Sequence, residues 1–455
     1  RFEAYGWRVL REIDGHNASS IEEALNESLQ SDGRPTLLCF RTKIGFGSPN
    51  KEGTAGAHGA ALGEDEIALT REALGWEQSA FDIAPEIYRA WDLSEKGALV
   101  QEEWGTVFKD YQGKSPEKAR EFLRRTAHQL PDQWESAINE SIKEELLNPS
   151  SSETRKSSQK AITVLADTLP ELFGGSADLT GSNNTKGLNN NDDQHMSYGV
   201  REFAMTAMTN GMLLHGGYRT YSGTFLVFME YARNAVRLAA LMKIPNIFVY
   251  THDSVMVGED GPTHQPVEQL TSLRTTPGLS TWRPCDTVET MIAWRCALES
   301  SSKPTALIFS RQKLSPQKRS DKAFDEVAKG GYVLRDPDCP LHAIIIATGS
   351  EVQLALDASL ALESENLGAR VISMPSVDRF LDQDSDYQDS VLPPDIRARV
   401  AVEAAHPDYW YRFVGLDGEV VGIRRYGASA PGDLVLAHVG VTVENVIQSV
   451  KRVLL

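Results

Sequence analysis

Two features that would direct a chain to nucleic acid or into a membrane are missing from this sequence. Lysine and arginine number 46 against 63 aspartates and glutamates, which leaves a net charge of −17 over 455 residues. Nucleic-acid binders need clustered basic residues to contact phosphates, so this balance argues against a nucleic-acid partner. No apolar run approaches the roughly 20 residues that span a bilayer. The sequence therefore predicts a globular protein that binds neither nucleic acid nor membrane.

Cysteine is also scarce, and the few cysteines form no pattern. The four that occur, Cys39, Cys285, Cys296 and Cys339, are scattered and give no C-x-x-C pair. This usage is typical of reduced residues in a cytoplasmic protein and argues against disulfide or metal use. The chain begins without a methionine or a secretory signal. Because its opening segment resembles the middle of a domain, we expect an amino-terminal portion to be missing.

Length and alternation of elements predict the architecture. At about 150 residues a domain, the chain has room for roughly three domains. Strands alternate with helices, which predicts α/β domains with doubly wound, mainly parallel sheets. A Pro- and Ser-rich break at 148–152 separates residues 1–148, the first domain with a linker, from a second domain over 149–320 and a third over 321–455. The first domain is expected to be incomplete, because its β-α-β piece cannot close a sheet.

Local patterns predict individual caps and elements. Ser20 is the expected cap of a helix over 19–29, and Thr442 that of the closing helix over 442–454. The short apolar run at 434–437 is predicted as a strand.

Three aromatic residues recur at a spacing of three. Phe225, Phe228 and Tyr231 are expected close together near the start of a helix within 223–242. An aromatic stripe of this kind is more often part of a core than a surface that holds a cofactor, so both interpretations stay open.

A polar loop at 258–269 follows an apolar run, 245–250, that is predicted as a strand. The loop carries Asp260 and His264, and His252 lies just after the strand. Loops at the carboxyl ends of strands are where open α/β sheets bind ligands. Histidines and an acid suit hydroxyl groups and proton transfer near neutral pH. A single histidine is more often structural, so these residues count only as a group.

Several residues suit an anionic group. Four residues would together suit an anionic head group such as a phosphate, which arginine holds bidentately. They are Arg155 near a helix start, Ser182 in a loop, His252 after the strand at 245–250, and Arg311 at the end of a later strand. For each arginine taken singly, the alternative is a surface ion pair.

Two further candidates stand apart from that group. Glu202 lies before a very apolar helix, where a buried carboxylate suits proton exchange with a cofactor. Its alternatives are a pair with Arg201 or a favourable charge at the helix amino terminus. His58 lies in a glycine-rich stretch, 43–60, whose glycines let backbone approach a ligand. The alternative for that stretch is a mobile surface loop.

Six segments, in order along the chain, resemble the transketolases. They are I-G-F-G-S at 44–48, G-G-S-A-D-L at 174–179, G-V-R-E-F at 199–203, F-L-V-F-M-E-Y-A-R-N at 225–234, G-E-D-G-P-T-H-Q-P-V-E-Q at 258–269 and A-T-G-S-E at 347–351. The resemblance extends from residue 1 to residue 455, which makes chance similarity implausible.

The resemblance implies a fold, a reaction and an assembly. Transketolases have diphosphate-binding, pyrimidine-binding and carboxy-terminal α/β domains, and they use thiamine diphosphate with Mg²⁺ or Ca²⁺. They are homodimers that hold each cofactor between subunits. In the pentose phosphate pathway they transfer a two-carbon ketol unit from a ketose phosphate, such as xylulose 5-phosphate, to an aldose phosphate, such as ribose 5-phosphate.

The resemblance also implies roles for individual residues around the cofactor. Glu202 matches the glutamate that bonds the aminopyrimidine ring and drives ylid formation. Phe228 matches the aromatic residue that stacks on this ring, and Phe225 and Tyr231 line the same pocket. Asp178 matches an acid near the cofactor at the dimer interface.

A second set of matched residues faces the sugar. His58 matches a loop histidine that faces both cofactor and substrate. Asp260 matches the acid that contacts the C2 hydroxyl, and His264 a histidine that bonds sugar hydroxyls. The set that binds the sugar phosphate is matched by four residues: Arg155, Ser182, His252 and Arg311.

The chain departs from the family pattern in two places. The Gly-Asp-Gly metal-binding segment and the histidines before it are not in this sequence. We therefore expect the ligands of Mg²⁺ or Ca²⁺ in a missing amino-terminal segment, and no activity from this chain alone. Thr180-Gly181 stands where the family usually has Ala-Pro, so the loop at Ser182 is expected to differ.

Two alternatives to a transketolase remain at this point. A dihydroxyacetone synthase would use the same kind of ketose phosphate donor and transfer the ketol unit to formaldehyde. A non-catalytic chain that only dimerises is the other alternative.

Overall fold

The fold is described from a computed structural model, for residues 1–30, 32–189, 192–320 and 322–455. These residues divide into two units, 1–109 and 110–455, which are described separately. The expected boundary at residue 321 lies outside the described residues. Among those that are described, no helix has the length and apolar character needed to cross a membrane.

The first unit contains one short parallel sheet and several helices. Its elements are β1 (Arg8–Asp14), α1 (Ala18–Ser28), β2 (Thr36–Arg41), α2 (Glu64–Ala73), α3 (Pro85–Trp91) and most of α4 (Ser94–Lys114). β1 and β2 pair in parallel, as the β-α-β pattern predicts. The predicted cap of α1 was wrong. Asn17, not Ser20, caps this helix, and its side chain accepts a hydrogen bond from the Ser20 backbone N–H.

The second unit opens with helices and continues into a six-stranded sheet. Its first elements are α5 (Pro116–Thr126), α6 (Trp134–Leu147), β3 (Ser152–Glu153), α7 (Thr154–Thr168), β4 (Leu172–Ser176), α8 (Thr180–Asn183), β5 (His195–Ser197), α9 (Glu202–His215), β6 (Arg219–Phe225) and α10 (Met229–Leu241). It continues with β7 (Ile247–Thr251), α11 (Gln269–Arg274), β8 (Ser280–Trp282), α12 (Thr287–Glu299), β9 (Thr305–Phe309) and β10 (Lys313–Leu314).

The six strands of this sheet are parallel and lie in the order β5-β4-β6-β7-β9-β8. Alternate strand residues point to opposite faces. Val249 joins the core formed with α7 and α12, whereas Phe248 joins the core formed with α10. Both faces are therefore covered by helices, which confirms the predicted α/β class with parallel, doubly wound sheets.

The central strand β6 was missed by the sequence analysis, which predicted a helix beginning near residue 223. Its sequence is R-T-Y-S-G-T-F, and every residue of it is buried. The hydroxyls of Ser222 and Thr224 are buried without a hydrogen-bond partner among the described residues, but neighbours satisfy the other polar side chains. Thr220, for example, donates to the side-chain oxygen of Asn246 at 3.0 Å. Phe225 consequently ends a strand, while Tyr231 lies on the following helix α10.

The remaining sheet has five strands in the order β11-β13-β12-β14-β15, of which only the edge strand β11 is antiparallel among the described residues. Its elements are α13 (Ala323–Ala328), β11 (Tyr332–Arg335), β12 (Leu341–Ala347), α14 (Glu351–Ser364), β13 (Gly368–Ser373), α15 (Val377–Leu381), α16 (Ser385–Val391), β14 (Arg399–Val402), α17 (Tyr411–Val414), β15 (Glu419–Val421), α18 (Gly432–His438) and α19 (Val443–Val453).

Two local predictions for this part had opposite outcomes. The cap at Thr442 is confirmed, because its hydroxyl accepts a hydrogen bond from the Asn445 backbone N–H. The strand predicted at 434–437 was wrong, since these residues belong to the helix α18. A short apolar run has the same appearance in a buried strand and in a helix, so its periodicity could not decide.

Candidate functional site

The candidate site lies at the carboxyl edge of the six-stranded sheet. Parallel pairing places Ser176 of β4 beside Gly223 of β6, Phe225 beside Thr251 of β7, and Thr251 beside Phe309 of β9. Four neighbouring strands thus end together, and the residues that follow each of them meet at one edge. Open α/β sheets bind their ligands at this edge.

Two residues fasten the start of α7 to the end of β9. The hydroxyl of Thr154 accepts from the backbone N–H of Ser310 at 2.7 Å, and the hydroxyl of Ser310 accepts from the backbone N–H of Thr154 at 3.1 Å. Arg155 and Arg311 come directly after these two residues. Chain segments more than 150 residues apart therefore bring two guanidinium groups to the same place.

No carboxylate within the described residues forms an ion pair with Arg155. Its Nη1 donates to the backbone oxygen of Ser182 at 2.6 Å, and its Nε is buried with no hydrogen-bond partner in the described part of the chain. Burial lowers the pKa of the Arg155 guanidinium; Glu153 opposes this shift and Arg311 adds to it. A half-buried cation with an unused donor suits an anionic ligand.

His252 has an unusual backbone and a fixed ring. Its φ is +60°, in the left-handed region that non-glycine residues rarely adopt. The ring stacks on Phe225 with centroids 3.6 Å apart, and its Nδ1 lies 2.8 Å from the hydroxyl of Thr251. Burial, together with the positive charges of Arg155 and Arg311, lowers the pKa of His252 to about 3. The imidazole is therefore neutral at physiological pH.

A polar network that was not predicted from the sequence supports His252. The Thr251 hydroxyl donates to the side-chain oxygen of Asn183 at 2.6 Å, and the Asn183 amide donates to the hydroxyl of Ser176 at 3.0 Å. Asn183 is completely buried. Its position one residue after Ser182 in α8 was the only signal, and it carried no mark of burial.

A series of rings extends from the core to the surface. Phe225 stacks on Phe228 with centroids 5.6 Å apart, and Phe228 lies 6.2 Å from Tyr231, whose side chain is 69% exposed. The ring of His264 meets Phe228 edge-on at 5.2 Å. The aromatic residues are thus core at one end and an open apolar surface at the other.

The loop that carries Asp260 and His264 is held to a distant segment. A 3-10 helix, Val255–Asp260, occupies its first part. The amide of Gln265 donates to the backbone oxygens of Gly258 at 2.8 Å and Ala428 at 2.9 Å. Asp260 is exposed, while His264 is half-buried and bonds through Nδ1 to the Thr263 hydroxyl at 2.9 Å.

Two predicted acids, Glu202 and Asp178, lie near the ends of other elements. Glu202 is the first residue of α9, is about nine-tenths buried, and has no hydrogen-bond partner among the described residues. The expected alternative of a pair with Arg201 does not occur, because that guanidinium donates to the backbone oxygen of Tyr198 at 2.9 Å. The helix-terminus alternative fits the position. Asp178 follows β4, is exposed, and has a left-handed φ of +60°.

The structure also shows where His58 of the first unit lies, and where Thr180-Gly181, which differ from the family pattern, lie. His58 ends a 3-10 helix, Ala55–Ala57, and is exposed. Thr180 and Gly181 open the short helix α8 that contains Ser182. In the part of the chain that the structure describes, no group of three or more histidines, cysteines or acids could hold a metal ion.

Contacts therefore connect most, but not all, of the predicted site residues. Hydrogen bonds, ring contacts or mutual electrostatic effects link a set that consists of Arg155, Ser182, Phe225, Phe228, Tyr231, His252, His264 and Arg311. Asp178 follows β4, which ends at the same edge of the sheet. Glu202 and Asp260 are not joined to the set by a hydrogen bond or ring contact in the described residues, and His58 belongs to the other unit.

Three protein-family profiles match this chain in succession. "Transketolase, thiamine diphosphate binding domain" matches residues 1–131, "Transketolase, pyrimidine binding domain" matches 150–317, and "Transketolase-like TK C-terminal domain" matches 330–442. The six-stranded sheet with the candidate site lies in the second of these ranges.

Characterised relatives agree with these profiles. Transketolase 2 of Vibrio parahaemolyticus is 51% identical over 461 residues, and the match covers 100% of this chain and 69% of the relative. Transketolase 1 of Escherichia coli is 51% identical over 460 residues with the same coverage.

Solved structures show the same fold. A transketolase from Leishmania mexicana superposes with a TM-score of 0.89 at 36% identity, over 100% of this chain and 67% of that one. A transketolase from Pichia stipitis in complex with sedoheptulose-7-phosphate gives 0.88 at 35% identity, over 99% and 68%. Sequence, profiles and fold lead to one conclusion: the chain belongs to the transketolase family of thiamine-diphosphate enzymes.

Proposed function

We propose that this chain carries the sugar-phosphate and pyrimidine sites of a transketolase. Such an enzyme moves a two-carbon ketol unit from a ketose phosphate of the xylulose 5-phosphate type to an aldose phosphate of the ribose 5-phosphate type. The observation that carries the proposal is the meeting of Arg155, Arg311 and neutral His252 at one sheet edge without a carboxylate ion pair in the described residues. The chain spans 69% of its relatives, so activity is part of the proposal.

A phosphate ester fits this edge on electrostatic grounds. Two guanidinium groups that repel each other gain when a dianion lies between them, and the buried Nε of Arg155 provides an unused donor. His252 and Ser182 add neutral polar contacts. The relative from Pichia stipitis was solved with a sugar phosphate, sedoheptulose-7-phosphate. We assign the phosphate of the substrate to these four residues.

The aromatic series fits the ring of the cofactor. Phe228 and the exposed Tyr231 present an apolar surface, with Phe225 behind them. Glu202 supplies a nearly buried carboxyl group that lacks a partner among the described residues. Thiamine diphosphate, when bound, supplies the carbon nucleophile that accepts the two-carbon unit. Glu202 would hold a proton at a ring nitrogen of the aminopyrimidine, and the aromatic residues would exclude water from it.

The remaining residues are assigned to the sugar and to the cofactor boundary. Asp260 would accept a hydrogen bond from the C2 hydroxyl, and His264 would bond neighbouring hydroxyls and assist proton transfer. His58 would face both substrate and cofactor, and Asp178 would lie near the cofactor where two subunits meet. Together these contacts fix the sugar in register for carbon–carbon cleavage.

The surface of α9 and α10 supports the proposal of a homodimer. Large apolar side chains there are exposed rather than packed: Phe203, Met208, Leu214, Tyr231, Leu238 and Leu241. Exposed apolar side chains that cluster on a surface mark an interaction site. A second copy of the chain would cover it and complete the cofactor site. Mg²⁺ or Ca²⁺ would accompany the diphosphate, and no ligand for it is assigned within this chain.

The proposal includes a domain assignment and a compartment. Residues 1–148 would be the carboxy-terminal part of the diphosphate-binding domain with a linker, 149–320 the pyrimidine-binding domain and 321–455 the carboxy-terminal domain. The family profiles support this order at 1–131, 150–317 and 330–442. Scattered, unpaired cysteines support a cytoplasmic setting.

Ketol transfer from xylulose 5-phosphate tests the proposal. A transketolase polypeptide that combines this sequence with a Gly-Asp-Gly metal-binding segment would be supplied with thiamine diphosphate and Mg²⁺, and ribose 5-phosphate would be the acceptor. Glu202→Ala is expected to lower kcat by a factor on the order of 100 or more, because a positioned proton donor is lost. Glu444→Ala removes an exposed acid from the first turn of α19 and serves as the matched control.

The same assay separates the alternatives. Transfer to formaldehyde in preference to ribose 5-phosphate would indicate a dihydroxyacetone synthase. Dimerisation without transfer to either acceptor would indicate a non-catalytic chain. Near-normal turnover by the Glu202→Ala variant would show that the assigned proton chemistry is wrong.

A further inference from the structure

A buried arginine outside the candidate site contacts the residue next to His252. Arg283 follows the edge strand β8 and is fully buried. Its Nε and Nη2 both donate to Oδ2 of Asp253, at 3.1 Å and 2.8 Å. Asp253 directly follows His252, so this bond restrains the chain at the point where it leaves the site.

The other side of the same guanidinium belongs to a different sheet. Its Nη1 donates to the carboxylate of Glu351, and to the backbone oxygen of Thr348 at 3.2 Å and its hydroxyl at 3.1 Å. Its Nη2 also donates to the hydroxyl of Ser350 at 3.2 Å. Arg283 therefore bridges the loop after β7 and the turn that begins α14.

Gly349 makes this approach possible. Its φ is +51°, and a Cβ at this position would lie 2.9 Å from Nε and Cζ of Arg283. The backbone N–H of Gly349 donates to the carbonyl oxygen of Arg283 at 3.0 Å. The A-T-G-S-E segment at 347–351 thus packs closely around the guanidinium group, which the absence of a side chain at Gly349 permits.

Asp253 depends on this arginine. The carboxylate is 2% exposed, and its Oδ1 has no hydrogen-bond partner among the described residues. Removal of one partner from a buried ion pair leaves an uncompensated charge, which the chain relieves by moving. The nearest residue that can move is His252, whose left-handed φ of +60° already costs free energy.

We propose that Arg283 is a positioning residue for the sugar phosphate, which holds His252 in place through Asp253. This inference rests on the proposed function of His252. One side of His252 is fixed by Thr251 and Asn183, and the other side is fixed by Asp253 and Arg283. The carboxy-terminal sheet thereby takes part in substrate recognition without contact with the substrate.

A second buried arginine provides a matched control. Arg274 donates from both Nη atoms to the carboxylate of Glu403 at 2.7 Å each, and the two side chains are 3% and 1% exposed. This pair also joins the two sheets and shares Glu403 with Arg283, whose Nη1 lies 3.7 Å from Oε1 of Glu403. Arg274 itself forms no hydrogen bond or ion pair with Asp253 or His252 in the described residues. A purely structural role would make the two arginines equivalent.

The experiment compares Arg283→Lys with Arg274→Lys in ketol transfer at saturating xylulose 5-phosphate. Ribose 5-phosphate and glycolaldehyde, which lacks a phosphate, are the two acceptors. Lysine keeps the charge but loses the fork that spans Asp253 and Glu351. Arg283→Lys is expected to raise the KM for ribose 5-phosphate on the order of tenfold and to leave the KM for glycolaldehyde nearly unchanged. Arg274→Lys is expected to lower the melting temperature comparably and to keep the wild-type ratio of the two KM values.

Each outcome of this comparison supports or overturns the positioning role of Arg283. An unchanged KM ratio in Arg283→Lys, or the same change in Arg274→Lys, would overturn the inference. If Arg283→Lys does not fold, Asp253→Ala, which removes the oxygen that accepts both hydrogen bonds from Arg283, decides in the same way. Absence of ketol transfer by the wild-type polypeptide that includes the metal-binding segment would instead contradict the proposed function, so the two failures are distinguishable.

Discussion

The imidazole ring of His252 lies face to face with the phenyl ring of Phe225, with ring centroids 3.6 Å apart and planes inclined by 23°. One residue ends β6 and the other follows β7, and these strands are neighbours in the sheet. The stack therefore couples the orientation of a polar site residue to the packing of two core strands.

Phe225→Leu tests this coupling. Loss of the stack is expected to lower the free energy of unfolding by about 1 kcal/mol and to raise the KM for ribose 5-phosphate several-fold, because the imidazole loses its support. Phe248→Leu, in the fully buried interior of β7, is the control. It is expected to lower stability without a change in KM. Equal KM values for the two variants would contradict the role of the stack. Urea unfolding and initial-rate kinetics provide the measurements.

His252 is expected to make the protein sensitive to acid. Burial, together with Arg155 and Arg311, lowers its pKa to about 3 in the folded state, whereas an unfolded histidine titrates near 6.5. The unfolded state thus binds more protons between these values. Stability is lost as the pH falls below about 6.5 and continues to fall towards pH 3.

The pH effect can be measured by urea unfolding at pH 7 and pH 5. Protonation of this single group in the unfolded state is expected to remove about 2 kcal/mol over that interval. His252→Asn tolerates the left-handed backbone and does not titrate. This variant should therefore lose less stability than the wild type between the two pH values. An identical loss in both proteins would show that His252 is not the responsible group.

The two arginines of the phosphate set are expected to lower the stability of the ligand-free protein and to strengthen its binding of a sugar phosphate. Arg311 is exposed and repels Arg155. Arg311→Gln should therefore leave the ligand-free stability unchanged or raise it, within about 0.5 kcal/mol. The same change should weaken binding of ribose 5-phosphate on the order of tenfold, because a charge-assisted contact is lost.

Isothermal titration and thermal unfolding with and without the sugar phosphate would measure both effects. Arg397→Gln removes an exposed arginine that pairs with Asp417 on the carboxy-terminal sheet, and it is the control for loss of charge. If the control weakened binding as strongly as Arg311→Gln, the effect would be one of net charge only.

Elements with continuous apolar runs could be predicted from the sequence. The strand over 343–347 and the helix after Gly349 were expected and are present, because burial on both faces selects uninterrupted Ile and Ala. The strand β6 could not be predicted in this way. Its Arg219 and Thr220 side chains bond to partners on distant segments, and the hydroxyls of Ser222 and Thr224 are buried without a partner among the described residues. No local pattern in the sequence records either kind of burial.

Some residues of the candidate site could likewise be predicted from the sequence, and others could not. Arg155, His252 and Arg311 could be chosen because each stands at the end of an element, where parallel topology brings side chains together. Asn183 and Arg283 could not be chosen. Their importance lies in hydrogen bonds to Thr251 and Asp253, which are 68 and 30 residues away in the sequence.

The short antiparallel ribbon formed by β3 and β10 has a consequence for how this part of the chain can be rearranged. Ser152 pairs with Leu314 and Glu153 with Lys313, so the segment from 152 to 314 begins and ends on adjacent strands. A segment whose ends lie one strand spacing apart can be circularly permuted or inserted into a host loop with little distortion. The same ribbon that brings Arg155 and Arg311 together thus gives the substrate-binding sheet the topology of a transferable module.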